Sequence, residues 1–161
     1  MAFNVPNMFG QVGFFTPTAP RSTMAVISLE REFDAPPEVI RPMMEDVERF
    51  MAAGGFDEAR VDGDTLTLIN RLGFATIQLT LEVVDDPAAV VAYRQHEGIF
   101  DAMETRYTLE PANGGSRVTA TTEFTLGGIP GTVLDSTIIK RQRTREIKGQ
   151  FDYLEAALDD A

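Results

Sequence analysis

The hydrophobic positions of this chain alternate first and coil later. Between residues 25 and 34, Ile27, Leu29 and Phe33 fall on one side with Arg31 among them, while Ser28, Glu30, Glu32 and Asp34 fall on the other. A period of two with a single apolar side describes a strand of an antiparallel sheet, buried on one face and wet on the other. The period then changes. Val39, Ile40, Met43, Met44, Val47, Phe50 and Met51 recur at helical spacing. Asp34 is placed to cap this helix, and Pro36 and Pro37 suit a first turn whose N–H groups would be unpaired anyway. Pro42 lies inside the pattern and cannot donate to Glu38. The segment is therefore expected to kink there, or to restart as a second short helix, before Ala52-Ala53-Gly54-Gly55 ends it.

Period two returns over residues 56–126. Strands are expected at 57–61, 64–71, 74–84, 88–98, 101–110 and 117–126. The turns between them carry Asp62-Gly63, Leu72-Gly73, Asp85-Asp86-Pro87, the Gly98 to Phe100 region and Asn113-Gly114-Gly115. Asp-Gly and Asn-Gly supply the positive φ values of tight hairpins, and such short links favour antiparallel pairing of neighbours. Gly127-Gly128-Ile129-Pro130-Gly131 breaks the last strand. Val133, Leu134, Ile138, Ile147, Phe151, Leu154 and Leu158 then outline a helix of about seven turns, apolar at its ends and polar at its centre. The order of elements predicts an α+β fold: a curved antiparallel sheet of about seven strands wrapped round a long C-terminal helix, with two short helices after the first strand. A sheet bent round a helix tends to enclose a hollow.

Residues 1–23 stand apart from the domain expected over 24–161. They hold Phe3, Phe9, Phe14 and Phe15 among Asn, Gly and Thr, with Pro6, Pro17 and Pro20 and no regular period. Two readings are open: a loose leader ahead of a start at Met24, or an apolar arm that packs on the body or on a neighbouring chain.

Composition narrows the function classes. The 161 residues are 43% hydrophobic and 24% charged, ordinary for one globular domain. No apolar run reaches the ~18 residues of a membrane-spanning helix, and the N-terminus does not read as a secretory signal, so the expected compartment is the cytoplasm. There is no cysteine and one histidine, which removes disulfides and makes a zinc site or other metal cofactor unexpected. The net charge of −11 repels nucleic acid and anionic membranes. Only Lys140 and Lys148 are lysines. An acidic, lysine-poor surface fits a halophile as well as it fits a GC-rich genome.

The strand ending in Phe33-Asp34-Ala35-Pro36-Pro37-Glu38-Val39, followed by a helix pair, six strands and one long helix, resembles the START/Bet v 1-like (SRPBCC) superfamily of polyketide cyclase and lipid-transport type. The resemblance covers 24 to about 158. It implies a helix-grip fold with a cavity between sheet and helix. It implies no shared catalytic set, because members include lipid and sterol carriers, quinone-binding proteins, polyketide cyclases and chaperone modulators.

On such a fold the cavity wall is expected to include Met43, Met44, Phe50, Met51, Phe74, Tyr93, Met103, Tyr107, Phe124, Ile138 and Phe151, a Met- and Phe-rich surface suited to a loosely defined apolar ligand. His96, Tyr93 and Tyr107 are the candidates for proton transfer, although alternation turns His96 outward if Tyr93 faces the core. Glu104 and Arg106 share a strand face, either inside as a head-group clamp or outside as a surface pair. Lys140, Arg141, Arg143, Arg145 and Lys148 concentrate positive charge on the last helix, where they read either as an anion site or as a solvated face. The expected function is binding or transport of a small hydrophobic or amphipathic ligand (lipid, quinone, isoprenoid or polyketide-like). The alternatives are a cyclase/dehydratase-type enzyme in the same cavity and a protein-interaction module.

Overall fold

The computed structural model describes residues 24–126 and 136–160. The expected contributions of residues 1–23, of the 127–131 glycine segment and of Val133 and Leu134 lie outside the described residues.

Seven strands, β1 (Met24–Phe33), β2 (Glu58–Asp62), β3 (Thr65–Leu72), β4 (Ala75–Val83), β5 (Val91–Glu97), β6 (Phe100–Ala112) and β7 (Gly115–Leu126), form one sheet in the order β1-β7-β6-β5-β4-β3-β2. Every pairing is antiparallel. Only β1 joins out of sequence order, and it does so because the two helices α1 (Pro37–Glu45) and α2 (Val47–Ala52) carry the chain from β1 across to β2 on the far edge. Helix α3 (Ser136–Asp159) lies against the inner face, packed on β1 and α2. This is the helix-grip architecture expected from the order of elements.

Alternation decides which side chains meet α3. On β7, Ser116, Val118, Ala120, Thr122 and Phe124 are buried, while Arg117, Thr119, Thr121 and Glu123 between them face out. On β1 the inner set holds Ile27, Leu29 and Phe33. Arg31 belongs to that set because its guanidinium lies 5.3 Å from the Phe151 ring centroid and bridges to Asp152 (2.8 Å) and Glu155 (3.0 Å) on α3. An inward arginine at the sheet edge thus covers an aromatic ring and ties the strand to the helix.

Several local expectations are corrected. Asp34 does not cap α1; the helix begins at Pro37 with Pro36 at the cap position and no side-chain cap bond. Pro42 stays inside α1 without a kink, and the expected second short helix, α2, restarts after a break at Asp46 (ψ 76°), one turn past the proline. The N–H missing at Pro42, past the middle of this short helix, is offset by the full burial of Ile40 and Met44 on the same helix. β5 begins at Val91 rather than 88, because Asp86 accepts a bond from the Ala88 amide (2.9 Å) and holds the chain in a turn.

Two close approaches fix the grip. A Cβ at Gly149 on α3 would sit 2.7 Å from the Ala53 carbonyl oxygen, so only glycine lets α3 press on the end of α2. A Cβ at Gly98 would collide with the Gln95 side chain and Leu79. Gln95 needs that space, since it donates to the Phe100 carbonyl (2.7 Å) and accepts from the Phe100 amide (3.1 Å), closing the β5–β6 turn.

Candidate functional site: a buried arginine on the floor of an apolar cavity

The space between sheet and α3 is divided. At one end Phe33, Ile40, Met44, Phe50, Met51, Phe151 and Leu154 interlock and are buried. Phe50 meets Tyr107 edge-on (centroids 5.1 Å, 76°), and Phe33 meets Phe151 in the same way (6.1 Å, 80°). At the other end a partly open cavity of about 60 Å³ lies among Leu68, Ile77, Leu79, Ile99, Phe100 and Met103 of β3–β6 and the turn between β5 and β6, with Phe124 of β7 and Ile139 of α3 closing it. That volume holds a few water-sized groups. It is far below the ~300–1,000 Å³ of sites that enclose drug-sized ligands.

Polar side chains form the seam between the two ends. Arg143 is buried on the inner face of α3. Its Nε donates to Thr122 Oγ1 (3.0 Å), its Nη1 to Glu146 Oε1 (3.1 Å), and its Nη2 to the hydroxyls of Tyr93 (2.9 Å) and Tyr107 (2.7 Å). Tyr107 donates onward to Gln150 Oε1 (2.7 Å), and Gln150 Nε2 lies 3.3 Å from Met51 Sδ. Glu146, only 5% exposed, accepts at its second oxygen from Asn70 of β3 (2.8 Å) and Gln142 (3.3 Å). Arg143, Glu146, Gln142, Asn70, Tyr93 and Thr122 all touch the cavity.

The electrostatics follow from this closure. A buried guanidinium is tolerable only when paired and hydrogen-bonded. Burial opposes its charge, but the surrounding Tyr107, Tyr93 and Glu146 oxygens outweigh that and hold Arg143 above its ordinary value, so it is permanently cationic. Burial, only partly offset by the Arg143 charge, holds the Tyr93 phenol well above its ordinary value. Tyr93 therefore keeps its proton at neutral pH and is no base there. Among the described residues, no group of three or more His, Asp or Glu could hold a metal ion.

The expected wall residues divide into three groups. Tyr93, Met103 and Phe124 line the cavity. Met44, Phe50, Met51, Tyr107 and Phe151 fill the packed end instead, and Met43 is half-buried at its margin. They leave a smaller hollow than expected because five large side chains occupy half of it. Phe74 is a correction: it stands fully exposed on the β3–β4 hairpin, where the turn at Gly73 (φ 63°) lifts it off the sheet. Ile138 is half-exposed, and its neighbour Ile139 takes the inward position. His96 is exposed on the face opposite Tyr93. Glu104 and Arg106 are exposed on the convex face, where Arg106 pairs with Asp86 (2.8 Å).

Arg143, Glu146 and Gln150 were hidden in the basic and polar centre of α3. Their signal was spacing: Ile139, Arg143, Glu146/Ile147, Gln150 and Leu154 continue one helical stripe. Carrying the apolar face straight through its polar interruption would have turned these three inward.

Comparison with known proteins agrees with this architecture. The family model described as polyketide cyclase/dehydrase and lipid transport matches residues 24–159. No curated protein matches the chain significantly. Among solved structures, the Zhui aromatase/cyclase from Streptomyces sp. R1128 is similar with a TM-score of 0.68 at 15% identity, over 84% of this chain and 96% of that one. A protein of Thermus thermophilus gives 0.65 at 20% identity, over 83% and 99%. A START superfamily protein from Mycobacterium smegmatis gives 0.61 at 14% identity, over 84% and 97%. At these identities the likeness is one of fold.

Proposed function

The chain belongs to the polyketide cyclase/dehydrase and lipid transport family, and from that premise we propose that it binds a small hydrophobic or amphipathic molecule at the hollow end of its interior. The observation that carries this reading is the pairing of an apolar cavity with a polar floor. Ile77, Leu79, Ile99, Phe100 and Phe124 offer a wall that gains by excluding water, and the Arg143 cluster offers fixed hydrogen-bonding groups at one end. The cavity's present size admits a ring or the tip of a chain. A larger ligand needs the N-terminal half of α3 to move outward from β3–β5. That motion has to release the Arg143 and Glu146 hydrogen bonds to Thr122, Tyr93, Tyr107 and Asn70.

Native mass spectrometry of protein purified from its source organism tests the reading. A reproducible added mass, lost when Ile139→Trp fills the cavity, supports a carrier. Bare protein in repeated preparations counts against it.

A cyclase-like reading is favoured by one observation: three polar groups, Arg143, Glu146 and Tyr93, converge at the cavity floor, with the Tyr107 hydroxyl bonded behind them. An enolate oxygen forming there would meet a guanidinium and the Tyr93 phenol, donors of the kind that stabilise developing negative charge. Turnover of a soluble polyketone surrogate, reduced at least about tenfold in kcat by Tyr93→Phe, would favour the enzyme. Binding without turnover favours the carrier.

A further inference from the structure

The charge of the cavity floor cancels. Arg143 brings one positive charge and Glu146 one negative, 3.1 Å apart and both buried. Every other polar group touching the cavity is an uncharged amide, phenol or hydroxyl: Asn70, Gln142, Tyr93 and Thr122. A lone buried arginine would select a carboxylate or phosphate. This one already spends its Nη1 on Glu146 and its Nη2 on two tyrosines. A ligand carboxylate would have to displace those partners and would lie beside the buried Glu146 carboxylate, where like charges repel.

Resting on the ligand-binding reading above, we infer that Glu146 is the specificity-determining residue of the cavity, neutralising Arg143 so that the site takes uncharged ligands whose polar end is a carbonyl or hydroxyl and rejects their carboxylate counterparts. The hydrogen bonds of Glu146 fit that role. Oε1 holds the guanidinium, while Oε2 holds the Asn70 and Gln142 amides at the cavity margin. The amides are thereby fixed in place as neutral hydrogen-bonding groups for an arriving ligand. The same carboxylate thus cancels the charge and arranges the neutral groups that replace it.

The inference makes a reversal testable. In Glu146→Gln the side chain keeps its shape and its hydrogen-bonding reach, but Arg143 is left as an uncompensated cation facing the cavity. Acetophenone and benzoate form a suitable probe pair, with the same ring and nearly the same outline, one neutral and one anionic at pH 7. The larger pair, 2-acetylnaphthalene and 2-naphthoate, asks the same question of a wider ligand. Binding is read from amide shifts in 1H–15N spectra of the full chain, titrated with each probe.

The wild type is expected to bind the ketone at least about tenfold more tightly than the carboxylate, and Glu146→Gln to shift that ratio toward the carboxylate by at least about tenfold. The double variant Arg143→Met/Glu146→Leu, which removes both charges, is expected to keep the preference for the ketone. Equal or tighter binding of the carboxylate by the wild type overturns the inference while leaving ligand binding intact. A ratio unmoved in folded Glu146→Gln overturns the assignment to Glu146. Absence of binding by all four probes in every variant overturns the ligand-binding reading itself, and this inference with it. Should Glu146→Gln fail to fold, the wild-type ratio and the double variant still decide.

Discussion

The two ends of the interior are built from the same elements, the sheet and α3, yet one is filled and the other is not. At the packed end the residues facing α3 are supplemented by a third layer: α1 and α2 push Ile40, Met44, Phe50 and Met51 between sheet and helix. At the hollow end no described helix intervenes, and the strands of β3–β5 face α3 across open space. The difference teaches that the cavity is made by where the helix pair stops, at Ala53–Gly54, rather than by unusually small wall residues. Arg143 lies at the boundary, with Tyr107 on its packed side and Thr122, Glu146 and the cavity on the other.

The strongest way to break this comparison is to attack the seam. Arg143→Met leaves Glu146 buried without its cation and three oxygen acceptors short of a donor, and is expected to cost about 3–5 kcal/mol in urea unfolding. Arg143→Met/Glu146→Leu is expected to recover most of that loss. If the double variant is as damaged as the single one, the seam is held by something other than charge pairing.

Matched truncations then compare the ends directly. Leu154→Ala at the packed end should fall near the top of the ~2–5 kcal/mol range for core leucines, and Leu79→Ala beside the cavity near its bottom, because Leu79 is only half-buried and adjoins space already present. Equal losses would mean that the two ends are packed alike. Enlarging the same side chains inverts the comparison. Leu154→Phe is expected to cost about 1–3 kcal/mol through overpacking, whereas Leu79→Phe should leave the urea midpoint within error while weakening ligand binding.

Much of the architecture was legible because period two and period 3.6 are local signals. β1, the helix pair, the six later strands and α3 could each be read from their own residues, and Ala35-Pro36-Pro37-Glu38 marked the join. Phe74 escaped because, although the Leu72-Gly73 turn was legible, the next strand begins at Ala75 rather than at 74, which leaves Phe74 exposed in the turn. Arg143 and Glu146 escaped for a different reason. Their sequence neighbours are charged, and a run of charge reads as solvent until the stripe from Ile139 to Leu154 is followed through it. Which half of the interior would be filled depends on where α1 and α2 fall across the sheet, a tertiary fact with no local signature.

The smallest effect lies on the outer face behind the packed end. There Arg117 on β7 bridges Glu32 (2.8 Å) and Glu110 (3.2 Å), with its Nε 3.3 Å from Glu30 but not in hydrogen-bonding geometry. Bonds from Asn113, then Arg117, hold the Glu32 carboxyl below its ordinary value of 4.5. A depressed carboxyl pKa means stability that is present above the unfolded value and lost as pH falls through the folded one. The stability advantage of wild type over Glu32→Gln is therefore expected at pH 7 and should vanish under acid, a small difference because the group is exposed. An advantage that grows on acidification would reverse the sign and contradict the pairing.

The most direct measurement is a map of amide shifts in 1H–15N spectra on adding acetophenone. The account predicts saturable changes clustered at Leu68, Ile77, Leu79, Phe100, Ile139 and Arg143, with Ile40, Phe50 and Leu154 unmoved. Saturable changes centred on the packed end, or a protein that no concentration of the ketone perturbs, would contradict it.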